Sequence, residues 1–111
     1  MSNERPPKTA AQQKPLPYEK LPDEAQASPC LVLYLSQTQS ELLSYDYFVG
    51  GSRLGQEAEL RFSSATVALR FGDTHDVQRI LKWVGGKKVY SFTVLPGECT
   101  IEVVKASDEE D

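Results

Sequence analysis

The sequence predicts an α+β fold in which antiparallel strands dominate and one helix packs on them. Alternating apolar and polar side chains over 57–62 and 66–71 are typical of two half-buried strands joined as a hairpin. The period then lengthens, because Val77, Ile80 and Val84 are spaced along one face of a helix. With the apolar runs on either side, the pattern indicates about six strands in a sheet or a partly closed barrel, four before the helix and two after it.

Composition divides the chain into a disordered proline-rich arm at 1–28, one globular domain at 29–106 and an acidic disordered tail at 107–111. Six of the seven prolines lie within the first 29 residues. Proline lacks a backbone donor and disfavours helix in the residue before it, so no regular structure is expected before Pro29. The tail lacks apolar side chains, and its last four residues account for the net charge of −4, since basic and acidic groups balance elsewhere.

The strands before the central hairpin are predicted from two apolar stretches. Residues 30–36 are apolar on both faces, which is typical of a strand near the centre of a fold. A second strand is predicted at 42–49, where Asp46 is expected to face solvent because burial of an unpaired carboxylate is costly. Three glycines within 50–55 then predict a long hairpin loop with positive φ angles, and Arg53 at its tip is a candidate contact residue.

The helix carries start and stop signals at both ends. Asp73 or Thr74 is expected to be its N-cap, and Gly85-Gly86 is expected to end it in a left-handed conformation. His75 lies in the turn before the helix and is expected to be exposed.

Two further strands, at 89–95 and 99–104, are predicted to form a second hairpin around Pro96-Gly97. Cys30 and Cys99 each begin a predicted strand. Two cysteines without close spacing fit neither a disulfide scaffold nor a zinc site, so both are interpreted as small buried hydrophobes. A bridge between them or a reactive thiol is the alternative.

Residues that carry catalysis are sparse in this sequence. There is one histidine, and the carboxylates are accounted for by strand faces, helix capping and the tail. None of the motifs of serine hydrolases, zinc proteases or phosphate-binding loops is present. The chain is therefore predicted not to be an enzyme, and no cofactor or metal site is expected.

The preferred functional hypothesis is a small protein-interaction or assembly module. Apolar side chains lie stranded in the proline-rich arm, where they are able to dock on a partner or to fold back on their own domain. Trp83, at the border of the helix's apolar face, either covers the core edge or anchors a partner. The candidate contact residues are Leu16, Tyr18, Leu21, Arg53, Arg79, Lys82 and Trp83. Self-association through a sheet edge is also possible.

The alternative hypothesis is a nucleic-acid-binding domain with an OB-like barrel and a basic face around the helix. The basic residues of that region are Arg61 and Arg70 on the paired strands, Arg79 and Lys82 on the helix, and Lys87-Lys88 just beyond it. Trp83 and Tyr90 are available for base stacking. Glutamates on the same strands as the arginines favour ion pairs instead. No run of apolar residues is long enough to span a bilayer and no signal segment is evident, so the chain is expected to be cytoplasmic and to have no membrane partner.

Overall fold

The computed structural model describes residues 16–105. Within this range, alternating side chains produce strands and the one stretch with helical spacing produces a helix. The elements are β1 (Tyr18–Lys20), β2 (Cys30–Tyr34), β3 (Ser40–Ser44), a 3₁₀ turn (Tyr45–Tyr47), β4 (Phe48–Leu54), β5 (Glu57–Phe62), β6 (Ala65–Phe71), α1 (Val77–Gly85), β7 (Val89–Thr93) and β8 (Cys99–Lys105).

The strands form two four-stranded sheets, in the orders β1-β7-β2-β3 and β4-β5-β6-β8. Every neighbouring pair is antiparallel except β2 and β7, which run parallel. The predicted α+β class, with mostly antiparallel strands and one helix, is confirmed. The strands are nevertheless divided between two sheets, and neither a single sheet nor a closed barrel forms within residues 16–105.

The core lies between the two sheets and under α1. The predicted hairpin of β5 and β6 is present, and its antiparallel register sets Leu60 opposite Val67 and Ala58 opposite Leu69. These side chains are buried against apolar groups of the other sheet, and the rings of Phe71 in β6 and Phe92 in β7 lie 6.0 Å apart. Burial of this one apolar cluster is the main stabilising term that the fold offers.

The prediction of one strand over 42–49 is wrong. The 3₁₀ turn at Tyr45–Tyr47 interrupts it, and Ser44 caps this turn by accepting a hydrogen bond from the Asp46 N–H. The turn places Tyr45 and Phe48 on the same side, with ring centroids 6.1 Å apart, which alternation would not allow. Asp46 is exposed, as predicted.

The predicted loop over 50–55 is also wrong, because most of it belongs to β4. Gly55 alone among these glycines has a positive φ angle, of 62°, at the turn into β5. Gly51 serves a different purpose. A β-carbon there would lie 3.0 Å from the Leu81 Cδ1 of α1, so glycine permits the helix to lie close over the strand.

The prediction that no regular structure precedes Pro29 is wrong for the described part of the chain. β1 pairs with β7, and the side chain of Pro17 is fully buried. The segment that follows is fixed by Lys88, whose ammonium group donates to the carbonyls of Pro22, Asp23 and Ala25. Proline was compatible with this edge because it sits just before a short strand. The rest of the predicted arm, 1–15, and the predicted tail lie outside the described residues.

Both predicted caps of the helix need correction. Asp76 is the N-cap, since its carboxylate accepts from the Arg79 N–H at 3.1 Å. The residue in the left-handed conformation after the helix is Lys87, with φ 60°, whereas Gly86 has φ −89°. The backbone therefore turns away from the helix at Lys87, two residues after the last helical residue, Gly85.

The predicted hairpin of the last two strands is wrong, because β7 belongs to one sheet and β8 to the other. One bridge between Leu95 and Cys99 is all that remains of it. β7 instead pairs with β1 and β2, where Phe92 lies opposite Tyr18 and Leu33. The turn between β7 and β8 is thus a crossing from one sheet to the other, and it carries Glu98.

Candidate functional site

A cleft of about 360 Å³ opens where β1, the start of α1 and the β7–β8 turn meet. The cleft exists because three segments distant in sequence are brought to one corner of the sandwich: β1 as an edge strand, the helix N-terminus, and the crossing between the sheets. Its lining residues are Leu16, Tyr18, Thr74, His75, Asp76, Arg79, Ile80, Trp83 and Glu98.

The base of the cleft is held by His75 and Glu98. The Nε2 of His75 lies 2.6 Å from the Oε1 of Glu98, and the two side chains are 10% and 28% exposed. The side-chain amide of Gln56 donates to the carbonyls of Gly72 and His75, at 2.7 and 3.1 Å. These bonds fix the turn before the helix against both β8 and the start of β5. His75 is therefore not exposed, which corrects the prediction.

Aromatic rings form the wall of the cleft. The Tyr18 and Trp83 rings lie 5.9 Å apart at an angle of 50°, and the Tyr18 ring meets His75 edge-on at 6.4 Å. The Lys20 ammonium lies 5.1 Å from the centre of the Trp83 ring, which is a cation–π geometry. Tyr18 and Trp83 remain half-buried, so part of each ring faces the cleft.

The rim of the cleft is charged. The Arg79 guanidinium lies 3.8 Å from the Asp76 carboxylate, and both side chains are more than half exposed. A pair this loose and solvated contributes little to stability, so both groups are available to a bound molecule. Arg79 and Asp76 lie on the same helical turn, because Asp76 is the N-cap and Arg79 follows three residues later.

Four of the predicted contact residues, Leu16, Tyr18, Arg79 and Trp83, line this one cleft. They come from two segments that the sequence treated separately, the proline-rich arm and the helix. Leu16 is 56% exposed at the cleft's edge. Trp83 packs partly against the core and also lines the cleft.

The other three predicted contact residues lie elsewhere. Leu21 is half-buried, and its N–H donates to the Lys88 carbonyl at 2.8 Å, which fixes the segment after β1. Arg53 is exposed at the end of β4 and donates to the Gln78 side chain at 3.1 Å. Lys82 is exposed in the last turn of α1.

Glu98 was missed by the sequence analysis, and His75 was placed wrongly. The two residues lie in different turns, and neither the helical period nor the strand period places one near the other. The available signal was composition: a single histidine next to a capping turn, and a glutamate in a Pro-Gly-Glu turn. Only the crossing of the chain from β7 to β8 brings them together.

A second, larger groove of about 580 Å³ lies along the β4-β5-β6-β8 sheet. Two arginines line it: Arg70 is paired with a carboxylate, whereas Arg53 donates to Gln78 and to the Gly55 carbonyl. Arg61 lies 3.1 Å from Glu59 on the same strand, and Arg70 lies 3.7 Å from Glu57 directly across the β5–β6 pair. Of the ion pairs expected between the strands of this sheet, Arg70–Glu57 is present, whereas Arg61 pairs with a glutamate of its own strand.

Neither cysteine offers a reactive thiol in the cleft. Both are free, Cys99 is buried at the start of β8 and Cys30 is half-buried at the start of β2. Burial raises the pKa of the Cys99 thiol to about 12. The thiol is thus protonated at neutral pH, as expected for a buried cysteine in apolar surroundings, and it acts as a small hydrophobe.

Within residues 16–105, no group of three or more His, Cys, Asp or Glu side chains is arranged to hold a metal ion. No helix in this part of the chain has the length and apolar character to cross a membrane.

Comparison of the chain with known protein families, with curated proteins and with solved structures finds no match.

Proposed function

We propose that this chain is a non-catalytic protein-interaction module that binds an extended segment of a partner protein in the cleft between β1, α1 and the β7–β8 turn. The observation that carries the proposal is the meeting of Leu16, Tyr18, Arg79 and Trp83 around one cleft. Tryptophan, tyrosine and arginine are the residue types that contribute most binding energy at protein interfaces.

The chemistry of the cleft favours a partner segment that presents an apolar or proline side chain. Tyr18 and Trp83 offer ring surface, and Leu16 extends it with an exposed apolar side chain. Aromatic grooves of this kind accept extended, proline-containing segments at low entropic cost. Arg79 and Asp76 at the rim supply a donor and an acceptor for the partner's backbone or polar side chains.

The His75–Glu98 pair supports this function by holding the cleft open in one shape. It joins the turn before α1 to the turn before β8, so the walls are positioned before a partner arrives. A preorganised site loses less entropy on binding than a flexible one does.

The two free thiols favour the reducing cytosol as the compartment in which the module acts.

Charge distribution favours a protein partner over nucleic acid. Arg61 and Arg70 each lie within 4 Å of a carboxylate, and the Lys88 ammonium is occupied by backbone carbonyls. Nucleic-acid binding needs basic groups that neutralise phosphates, and pairing with carboxylates reduces that capacity.

The proposal is tested by affinity capture from a lysate with the full chain, with and without nuclease, and with matched variants. Leu16→Glu and Arg79→Ala should each reduce capture of the partner protein. Leu54→Glu and Arg70→Ala are the controls, because Leu54 is also exposed and Arg70 is also in a surface ion pair. Both controls should bind as the natural chain does.

Two results would overturn the proposal. Equal loss with the test and control variants would mean that the cleft is not the binding site. Capture that disappears with nuclease and falls steeply with salt, with a slope that Arg79→Ala combined with Lys82→Ala flattens, would establish the nucleic-acid alternative. The single tryptophan, Trp83, offers a direct check, since a segment bound in the cleft changes its fluorescence.

A further inference from the structure

The four sheet edges of this fold differ in how they are protected against pairing with another chain. β1 has three residues and a register shift, and β4 has a register shift and is packed by α1. β3 has five residues and runs directly into the 3₁₀ turn. β8 has seven residues, pairs with β6 without any register shift and contains no proline. Short, bulged or covered edges resist strand addition, and β8 is none of these; the protection that it does have is its two charged side chains, Glu102 and Lys105, and Lys105 is paired with Glu41.

The hydrogen bonds around β8 show which backbone groups face its open edge. The Cys99 N–H and C=O are both bonded to Leu95, and the Glu98 C=O accepts from Gly72, beside the last residue of β6. Successive residues of a strand direct these groups to opposite sides. The N–H and C=O groups of Ile101 and Val103 therefore point away from β6, and no other strand within residues 16–105 pairs with them.

We propose that β8 is a self-association edge, at which two copies of this chain pair β8 with β8 in antiparallel fashion about a two-fold axis. The pairing joins two β4-β5-β6-β8 sheets into one continuous sheet. It goes beyond the proposed partner-binding function and does not use the residues of the cleft. The strand that pairs with this edge is assigned to a second copy of the chain, because β8 can lie antiparallel to another β8 in a register that brings no like charges together and needs no backbone group that is already bonded.

The register of this β8–β8 pair is found by excluding two alternatives and then asking which of the others pairs the most open backbone groups. Placing Ile101 opposite Val103 of the second copy sets Glu102 against Glu102 in a closely spaced pair, where like charges repel. Placing Ile101 opposite Ile101 demands pairing from Cys99, whose backbone groups are already bonded to Leu95. Of the registers that are left, the one with Val103 opposite Val103 pairs the open backbone groups of both Ile101 and Val103 within residues 101–105.

In this register Ile101 lies opposite Lys105, and Glu102 lies opposite Val104. The two glutamates are separated, and each Val104 side chain, 42% exposed in the single chain, gains a neighbour across the new pair. One added strand pair buries less surface than a standard interface does. We therefore expect a weak dimer with a Kd on the order of 10 to 100 µM.

The test begins with the full chain in sedimentation equilibrium over a concentration series that spans this range. The natural chain should pass from monomer to dimer. Val103→Pro removes an N–H that only the dimer uses, since this group faces away from β6, and should weaken association about tenfold or more. Val103→Thr keeps the N–H and is the matched control, which should associate as the natural chain does. A chain that stays monomeric throughout, or a Val103→Pro variant that dimerises like its control, would refute the proposal.

Cross-linking fixes the register without relying on the proline variant. An equimolar mixture of Glu102→Cys and Val104→Cys chains should form a mixed disulfide under mild oxidation, because a closely spaced antiparallel pair has the Cα separation that a disulfide accepts. Neither variant alone should cross-link beyond the level that the natural chain shows through its own cysteines. Cross-linking of Glu102→Cys with itself, or dimers that form without the mixed disulfide, would contradict the pairing.

Discussion

His75 and Glu98 meet through a distance of 2.6 Å between Nε2 and Oε1, although they lie on turns that lead into different elements. His75 also lies against the rings of Tyr18 and Phe71, at 6.4 and 6.0 Å. The pair is therefore enclosed on one side by aromatic groups and on the other by the cleft. A hydrogen bond in such a half-buried position is screened less than a surface ion pair is.

This pair should be energetically coupled. Single His75→Ala and Glu98→Ala variants and the double variant, compared in urea denaturation, should give a coupling free energy of about 1 to 2 kcal/mol. The matched cycle on Arg70 and Glu57, which are both mostly exposed, should give less than about 0.5 kcal/mol. Equal coupling in the two cycles would mean that the His75–Glu98 bond does not support the cleft.

The close approach of α1 to β4 leads to a second prediction, in which neighbouring glycines should respond differently to alanine. A β-carbon at Gly51 would lie 3.1 Å from the backbone oxygen of Glu59, which cannot move aside, as well as 3.0 Å from Leu81. Gly51→Ala should therefore cost about 1 to 3 kcal/mol in unfolding free energy.

At Gly50 the nearest atom would be 3.5 Å away, on the flexible Arg61 side chain. Gly50→Ala should be neutral or stabilise by up to about 1 kcal/mol, because alanine lowers the entropy of the unfolded chain. Thermal or urea unfolding of the two variants decides the matter. If Gly50→Ala lowers the free energy of unfolding as much as Gly51→Ala does, both glycines are needed for their backbone conformation, and the packing of α1 on Gly51 is not the reason.

The elements that the sequence predicted well are those in which local pattern and tertiary burial agree. The alternation in β5 and β6 and the helical spacing of Val77, Ile80 and Val84 each match a buried face in the structure. Here the side-chain period is set by the backbone geometry of one element, so no knowledge of other segments was needed.

The errors arise where a distant segment decides the outcome. Gly50-Gly51 resembled a loop because the sequence does not reveal the helix that packs above it. The β7–β8 turn resembled a hairpin, since a Pro-Gly turn does not reveal that the chain changes sheets there. Four of the nine residues that line the cleft were predicted as contact residues, but not as one site, because the segments that carry Leu16, Arg79 and Glu98 converge only through tertiary structure.

The exit from the helix gives a third prediction. Lys87 has φ 60°, a conformation that costs a residue with a β-carbon about 1 kcal/mol relative to glycine. Lys87→Gly should therefore raise the free energy of unfolding by about 0.5 to 1 kcal/mol. Lys82→Gly, in the exposed last turn of α1, should lower it by about 1 kcal/mol because glycine weakens a helix interior. If the free energy of unfolding changes in the same direction in both variants, the left-handed conformation of Lys87 does not cost the folded chain stability.

The buried thiol of Cys99 gives the final prediction, a loss of stability in alkali. Burial raises its pKa to about 12 from an ordinary value of 9.0, so the unfolded chain releases this proton at lower pH than the folded chain does. The stabilisation that the buried, protonated thiol gives to the folded chain is present below pH 9 and is lost as the pH rises from 9 toward 12. Between pH 9 and 10 the free energy of unfolding should fall by about 1 kcal/mol on account of Cys99.

Urea denaturation at pH 8, 9 and 10 measures this loss, and Cys99→Ala should remove it. Val89→Ala is the matched control, since it truncates another buried apolar side chain but keeps the thiol, and it should retain the full dependence on pH. Tyr45 does not confuse the comparison, because all three chains contain it. Burial raises the pKa of its phenol, so its own loss of stability begins near the ordinary value of 10.0 and is the same in each chain. The prediction is wrong if the free energy of unfolding of Cys99→Ala falls between pH 9 and 10 as steeply as that of the natural chain. The thiol would then have the same pKa in the folded and unfolded chains, and burial would not raise it.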